Sequence, residues 1–307
     1  MLSTATVSQL KAPSRLRTWL QLFRAPNLFT VPGDPIAGYL ISNAGFTDVS
    51  LLLVATSSLC FYGAGLLLND LVDLAEDKTD RPSRPLPAGH ASLQSVRRVH
   101  WLLNLVGILF LIGTGSTRAV LAGVATVAAV WSYNCLTKKV PVLGALNMGL
   151  CRTLSMLTGA LAGPSPFSVP IAALMAVTAG LYIAAVTNLA RFETKTSLAF
   201  APRFFPVLAL LPGLALGVQN ALYSPDKLPS AILFGATLLG GLSLLQRLVL
   251  RPNPLPPLIG AHIRLLLPFQ AAACWFGASQ SVGPAFAVAL VTLWPVSRMV
   301  SRRFYAS

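Results

Sequence analysis

The sequence predicts an all-α, polytopic membrane protein of nine or ten transmembrane helices, and three observations carry that prediction. Charged residues make up only 10% of the 307 positions, hydrophobic residues make up 54%, and the mean hydropathy is +0.68. Soluble globular chains carry roughly 25% charged residues, so a soluble fold of this length could not cover its surface. Finally, the chain divides into runs of about 20 mainly apolar residues, the length a helix needs to cross the hydrocarbon layer.

In order, those runs fall at residues 28–44, 51–74, 99–117, 119–136, 142–163, 168–190, 201–221, 229–248, 257–277 and 282–299. Only a tight turn near Arg118 separates the third from the fourth. The ninth is the most interrupted, by Pro254, Pro256, Pro257, His262, Arg264 and Pro268. Ten spans is the literal reading, and nine results if that segment re-enters the membrane. The expected division is a basic cytoplasmic segment over 1–27, one transmembrane domain over 28–299 and a short cytoplasmic tail over 300–307. The first ~27 residues lack an apolar core, so no cleavable signal peptide is expected.

The basic residues test the division. With the N-terminus inside, 19 of the 23 Lys and Arg fall on the cytoplasmic face. Arg118 and Lys227 fall outside, while Arg152 and Arg264 fall within spans. This asymmetry follows the positive-inside rule and predicts a multi-pass protein of the cytoplasmic membrane with both termini inside. The net charge of +14 would suggest nucleic acid in a soluble protein; here it orients the chain and meets anionic headgroups. Cys60, Cys135, Cys151 and Cys274 lie in apolar runs without CxxC spacing and read as small buried hydrophobes. His90, His100 and His262 have no metal-ligand spacing and are expected to be structural or interfacial.

Five of the nine acids lie within eleven residues, in 69-NDLVDLAEDKTDRPSRPLPAG-89. Asn69, Asp73 and Asp77 recur every four residues and would share one helical stripe, flanked by Asp70 and Asp80. Carboxylates this close repel one another unless cations neutralise them. At a membrane interface the expected cation is Mg²⁺, held by hard oxygens and shared with phosphate. A solvated acidic helix end beside its own arginines is the alternative reading.

The order N-D-x-x-D-x-x-x-D, then D-R-P-x-R-P-L-P-x-G, resembles the first signature of the UbiA superfamily of intramembrane prenyltransferases. Arg24-Ala25-Pro26-Asn27 resembles that family's entry motif, and Tyr133 with Lys138-Lys139 its tyrosine and basic pair. The resemblance implies helices around a central, lipid-accessible cavity and Mg²⁺-dependent transfer of a prenyl group from an isoprenoid diphosphate to an aromatic or other apolar acceptor. Its implied partners are the prenyl diphosphate, a small apolar acceptor and the bilayer, with no nucleic acid. Carried over by position, Asn69, Asp70, Asp73 and Asp77 would bind metal. Asp73, Asp77 and Tyr133 would be catalytic, with an interfacial anchor as the alternative reading of Tyr133. Asn69, Arg81, Arg84, Lys138 and Lys139 would bind substrate, with orientation of the chain by positive charge as the alternative reading of the two lysines.

The sequence departs from the family at the second signature, expected at the end of the sixth span. There 186-VTNLARFETKTS-197 offers a single acid, Glu193, with Asn188 and Arg191 beside it. All three are candidate substrate-binding residues: Arg191 would contact diphosphate directly and take over part of the second metal's electrostatic role, or it would simply mark the cytoplasmic end of a span. EboC-like proteins, encoded in secondary-metabolite export clusters, are a branch that looks similar here. The weakened motif also keeps open a carrier that has the fold and binds a lipid-like or phosphorylated metabolite without chemistry. Asp34, an acid inside the first span, would face the cavity or pair with Arg152 or Arg264; Asn147 and Arg152 are expected to line the cavity.

Overall fold

The computed structural model describes residues 14–45, 47–163, 168–192, 200–250, 255–278 and 282–303. Every regular element among them is helical. A short amphipathic helix α1 (Arg15–Leu22) and a single turn α2 (Ala25–Leu28) lead into α3 (Gly33–Ser42). The long helices α4 (Val49–Val72), α6 (Leu93–Gly113) and α7 (Thr117–Ser132) follow, with α5 (Leu74–Asp80) in the loop after α4. Next come α8 (Leu143–Ala160), α9 (Val169–Ala190), α10 (Phe205–Tyr223) and α11 (Leu228–Leu250). The chain closes with α12 (Leu255–Arg264), α13 (Leu266–Gly277) and α14 (Val282–Arg303).

Eight helical stretches among the described residues are long and apolar enough to cross a membrane. The places of the first and fifth predicted spans are taken by α3 and α8. The first differs most from expectation: only ten residues of 28–44 form α3, about 15 Å of helix. Pro26 and Pro32 stand in the turns that precede it, and irregular backbone is tolerated at this depth because protein surrounds it; all ten residues of α3 are buried. In α8, Asn147 and Arg152 dilute the apolar character. The ninth span is a full 23-residue stretch, Leu255–Gly277, interrupted at Leu265. Pro268 supplies the reason, since it lacks the N–H that would bond the carbonyl of residue 264 and its ring crowds that turn.

Successive helices pack as neighbours from α4 and α6 round through α8 and α9 to α13 and α14, and α3 lies inside, against α8, α9 and α13. Small residues permit this centre. A Cβ at Gly38 would collide with the backbone of Met156, and one at Gly159 with that of Pro35, so α3 and α8 touch backbone to backbone. Ser42 Oγ closes the contact by donating to the carbonyl of Ala160 at 2.7 Å. The outside is apolar: on α6, Trp101, Leu102, Leu105, Leu109 and Ile112 are all exposed along one face, a surface that only lipid tails solvate well. The protein is a multi-pass membrane protein.

A second, smaller apolar cluster sits at one end of the bundle, where Leu22 of α1, Leu67 of α4, Val96 of α6 and Leu86 are buried together. Leu86 comes from the Pro-rich loop after α5, so this cluster anchors both that loop and the N-terminal helix over the end of α4. Cys60 and Cys274 are buried as expected, whereas Cys135 is exposed. Its face of the helix turns outward where the helical pitch changes after Ser132.

Candidate active site at the mouth of the central cavity

A cavity of about 370 Å³ lies between α4, α7, α8, α9 and the α12–α13 pair. Phe61, Val130, Ile183, Val186 and Ile263 supply apolar wall, while Arg24, Asn27, Tyr62 and Tyr133 line it as well. The acidic stretch at the end of α4 stands beside these last groups, and every carboxylate of that stretch that faces the bundle is met by a cation.

Asn69 and Asp73 meet each other, the Asn69 amide donating to Asp73 Oδ2 at 3.1 Å. The Lys138 ammonium sits on both, donating to Asn69 Oδ1 at 2.8 Å and pairing with Asp73 Oδ2. Asp70 pairs with Arg24 at 3.5 Å, and Asp77 with Arg84 at 2.7 Å. The helix carrying them is not the single continuous stripe expected. It breaks at Asp73, the last cap of α4 and first cap of α5. The backbone bonds from Asp73 to Asn69 and from Asp77 to Asp73 persist at 3.0 and 2.8 Å. The bend keeps Asn69 with Asp73 and sends Asp77 to the loop, where Leu86 holds Arg84 in reach.

Two backbone irregularities aim the cations. Residues 133–137 form a π-helical turn at the end of α7, and the Lys138 N–H donates to the Tyr133 carbonyl at 2.9 Å. Such a turn inserts one residue into the helix and rotates the residues beyond it; here it keeps Tyr133 on the cavity and swings Lys138 over Asn69. Asn147 on α8 braces the turn: its amide meets Ser132 Oγ at 3.0 Å and Thr137 Oγ1 at 2.9 Å. Contrary to expectation, Asn147 is thus a brace and not part of the cavity lining. The second irregularity is Arg24, a non-glycine residue in the left-handed region with φ 43°. That conformation is strained for an L-residue and persists where surrounding contacts demand it. It turns the guanidinium onto Asp70 and into the cavity rim.

The remaining expected residues divide. Lys139 does not reach the cavity; it bonds Glu76 Oε2 at 2.8 Å on the exposed outer side of the loop. That hydrogen bond holds the Glu76 carboxyl below its ordinary value and raises Lys139 above its own. Arg81 caps α5 and is exposed. Asn188 and Arg191 stand at the end of α9, Arg191 donating to Asn188 Oδ1 at 2.9 Å; Thr187 and Ala190 beside them line the cavity. Glu193 lies outside the described residues.

Deeper in the bundle is a second polar group. Asp34 is wholly buried and pairs with Arg152, which lines the cavity. Arg152 Nη2 donates to the Thr30 carbonyl at 2.6 Å, and Gln270 donates to the same carbonyl at 2.8 Å and to Asp34 Oδ1 at 2.7 Å. Asp34 and Arg152 stand out in the sequence as charges within spans. Sequence reasoning does not single out Gln270, whose one available signal is a lone amide in the apolar run 265–277. His100 and His262 are buried and hydrogen-bonded, His100 to the Ala64 carbonyl and His262 to Tyr182, in structural roles as expected.

Fold and site together define an all-helical, multi-pass membrane protein with a central cavity and a mouth of paired acids and cations. The UbiA prenyltransferase family model matches residues 35–254, and the chain belongs to that family. Among curated proteins it is similar to digeranylgeranylglyceryl phosphate synthase of Sulfolobus acidocaldarius, 30% identical over 49% of this chain and 54% of that one. The protein of the same name from Ignicoccus hospitalis is 28% identical over 50% of each chain. The chain thus spans about half the length of these curated relatives. Among solved structures, a UbiA homologue from Aeropyrum pernix K1 aligns with TM-score 0.63 and 17% identity over 80% of this chain and 96% of that one. A UbiA homologue from Archaeoglobus fulgidus, bound to GPP and Mg²⁺, aligns with TM-score 0.56 and 18% identity over 90% and 99%. At those identities the likeness concerns the fold alone.

Proposed function

We propose that this protein is an intramembrane prenyltransferase that takes a prenyl group from an isoprenoid diphosphate, with Mg²⁺, and passes it to an apolar, aromatic or lipid-like acceptor. One observation carries the reading: Asn69 Oδ1 and Asp73 Oδ2 converge on a single cation, the Lys138 ammonium, beside a cavity with apolar walls. Those are hard oxygen donors already shaped around positive charge. Mg²⁺ is commonly held by one or two carboxylates together with substrate phosphates, so the donor set fits. Asn69 and Asp73 would hold the ion with Asp70 and Asp77 close by, and when bound it would neutralise charge on the departing diphosphate.

The chain's own residues supply the rest. Arg24 and Lys138, with Arg191 at the opposite rim, offer guanidinium and ammonium donors to diphosphate oxygens. The apolar walls receive the tail. Breaking the bond between C1 and diphosphate leaves an allylic cation, and the face of Tyr133, which lines the cavity, can stabilise it. The acceptor forms the new bond to C1 and gives up its proton. Arg84 acts indirectly by fixing Asp77. The names of the relatives support this reading, since those proteins are called synthases of a prenylated lipid phosphate and one solved relative was bound to GPP and Mg²⁺.

The test incubates the purified full chain with labelled prenyl diphosphates of several lengths and a small-molecule extract, with and without Mg²⁺. Metal-dependent transfer is expected; tight binding without turnover would favour the carrier. We place the protein in the cytoplasmic membrane with the mouth facing the cytoplasm, as the distribution of basic residues supports. In a Cys135→Ser background, Ser83→Cys should react with an impermeant thiol reagent only from inside and Tyr223→Cys only from outside. Equal labelling from one side would refute that orientation.

A further inference from the structure

A second and larger recess lies away from the central cavity, on the same end of the bundle as the acidic mouth. It is a groove of about 940 Å³ between α11, α12 and α14. Arg247 of α11, Arg264 of α12 and Arg298 of α14 line it, together with Ser243 and Ser301, and among the described residues no lining residue is acidic. Neither Arg247 nor Arg298 pairs with a carboxylate among the described residues. Its apolar part is formed by Leu258, Leu265 and Trp294.

Membrane topology accounts for two of these arginines but not the third. Arg247 and Arg298 stand near the C-terminal ends of α11 and α14, where the positive-inside rule and the helix dipole both favour cations. Arg264 lies nine residues into the Leu255–Gly277 span, about 14 Å along the helix from its start. A cation at that depth is costly unless it faces a polar cavity or a counter-charge. The break at Leu265 ends α12 there and leaves Arg264 in the groove. The groove therefore gathers three arginine side chains, one of them deep, along an apolar wall.

We infer that this groove binds an anionic phospholipid from the surrounding bilayer. Its phosphate would be met by Arg247, Arg264 and Arg298, and the start of an acyl chain would lie along Leu258, Leu265 and Trp294. Charge complementarity argues for an anionic head, since three arginines with no acid among the described lining groups repel a cation and gain little from a zwitterion. The surroundings argue for a lipid over a soluble anion: Leu242, Leu250 and Met299, beside the groove on α11 and α14, are exposed toward the lipid-facing surface. Arginine forks also suit phosphate oxygens better than point charges do. The site has a route to the catalytic mouth, because Ser297, next to Arg298, donates to the Pro26 carbonyl at 3.1 Å in the segment that carries Arg24 and Asn27.

The test is native mass spectrometry and thermal melting of the detergent-purified full chain titrated with dioleoyl phosphatidylglycerol, dioleoyl phosphatidylcholine or inorganic phosphate. Selective retention of phosphatidylglycerol, with a raised melting midpoint, is expected. The double variant Arg247→Gln/Arg298→Gln, at exposed positions, should weaken that retention roughly tenfold or more, each cation near an anionic lipid contributing a factor of about five. Arg97→Gln/Arg98→Gln, exposed cations on α6, should leave it unchanged. Equal retention of both lipids, an equal loss in the Arg97/Arg98 variant, or equal protection by inorganic phosphate would each overturn the proposal.

Discussion

The cavity mouth and the Asp34–Arg152 centre both neutralise a carboxylate with a cation, yet they are built in opposite ways. At the mouth, Lys138 and Arg24 reach Asp73 and Asp70 with long side chains that keep about a quarter of their surface exposed. A charged ligand can displace or join such partners, because access to water lowers the penalty of rearrangement. In the centre, Asp34 is wholly buried on a helix enclosed by others, and Thr30 and Gln270 tie the pair in place. There the charges cannot separate without one being left in a medium of low polarity. The first arrangement suits exchange of ligands, and the second fixes α3 against α8 and α13 so that the cavity keeps its shape.

The largest effect that would break this contrast is on stability. Asp34→Asn or Arg152→Met alone strands the partner charge and should lower stability by about 3–5 kcal/mol, read as a drop in the detergent melting midpoint. Combining them should recover most of that loss. Single variants as stable as the parent would show that the centre is as forgiving as the mouth. At the mouth the loss should instead be functional. Asp73→Asn or Asp77→Asn keeps shape but removes charge, and should weaken Mg²⁺-dependent prenyl diphosphate binding ~10–100-fold, the range seen when groups supporting a metal site are changed. The fold should survive, and unchanged binding in both variants would return the cluster to a solvated helix end.

A smaller effect is expected at the opposite rim. Arg191→Ala should weaken prenyl diphosphate binding about tenfold, the loss of charge-assisted hydrogen bonds, and Arg191→Lys should restore it only in part. Normal affinity in Arg191→Ala would leave this arginine as a marker of topology. The smallest effect falls on the exposed Glu76–Lys139 pair. Glu76 is held below its ordinary value of 4.5 and Lys139 above its ordinary 10.5, so what the pair contributes is present between those values. It is lost as pH falls through the lowered Glu76 value or rises through the raised Lys139 value. Because the pair is solvated, Glu76→Gln and Lys139→Gln should leave melting and substrate binding unchanged at neutral pH. A measurable loss of substrate binding in Lys139→Gln would instead put this lysine at the diphosphate.

Composition, the spacing of apolar runs and the cluster from Asn69 to Gly89 determined the membrane class, the family and the acidic half of the mouth. Each is a local property: hydropathy acts over about 20 neighbouring residues, and the first motif is contiguous. Local pattern also marked Asp34 and Arg152 as charges out of place. It could not choose the Asp34 partner, because Arg152 lies on another helix and Gln270 is separated from Asp34 by 236 positions. Nor could it separate Lys138 from Lys139. Only the π-turn after Ser132, braced by Asn147 from α8, sends the first to Asn69 and the second to Glu76. The tertiary structure decided these points because they depend on which helices touch. That contact is set by Gly38 and Gly159 between α3 and α8, by Leu86 beneath the loop, and by the break at Leu265 that leaves Arg264 in the outer groove.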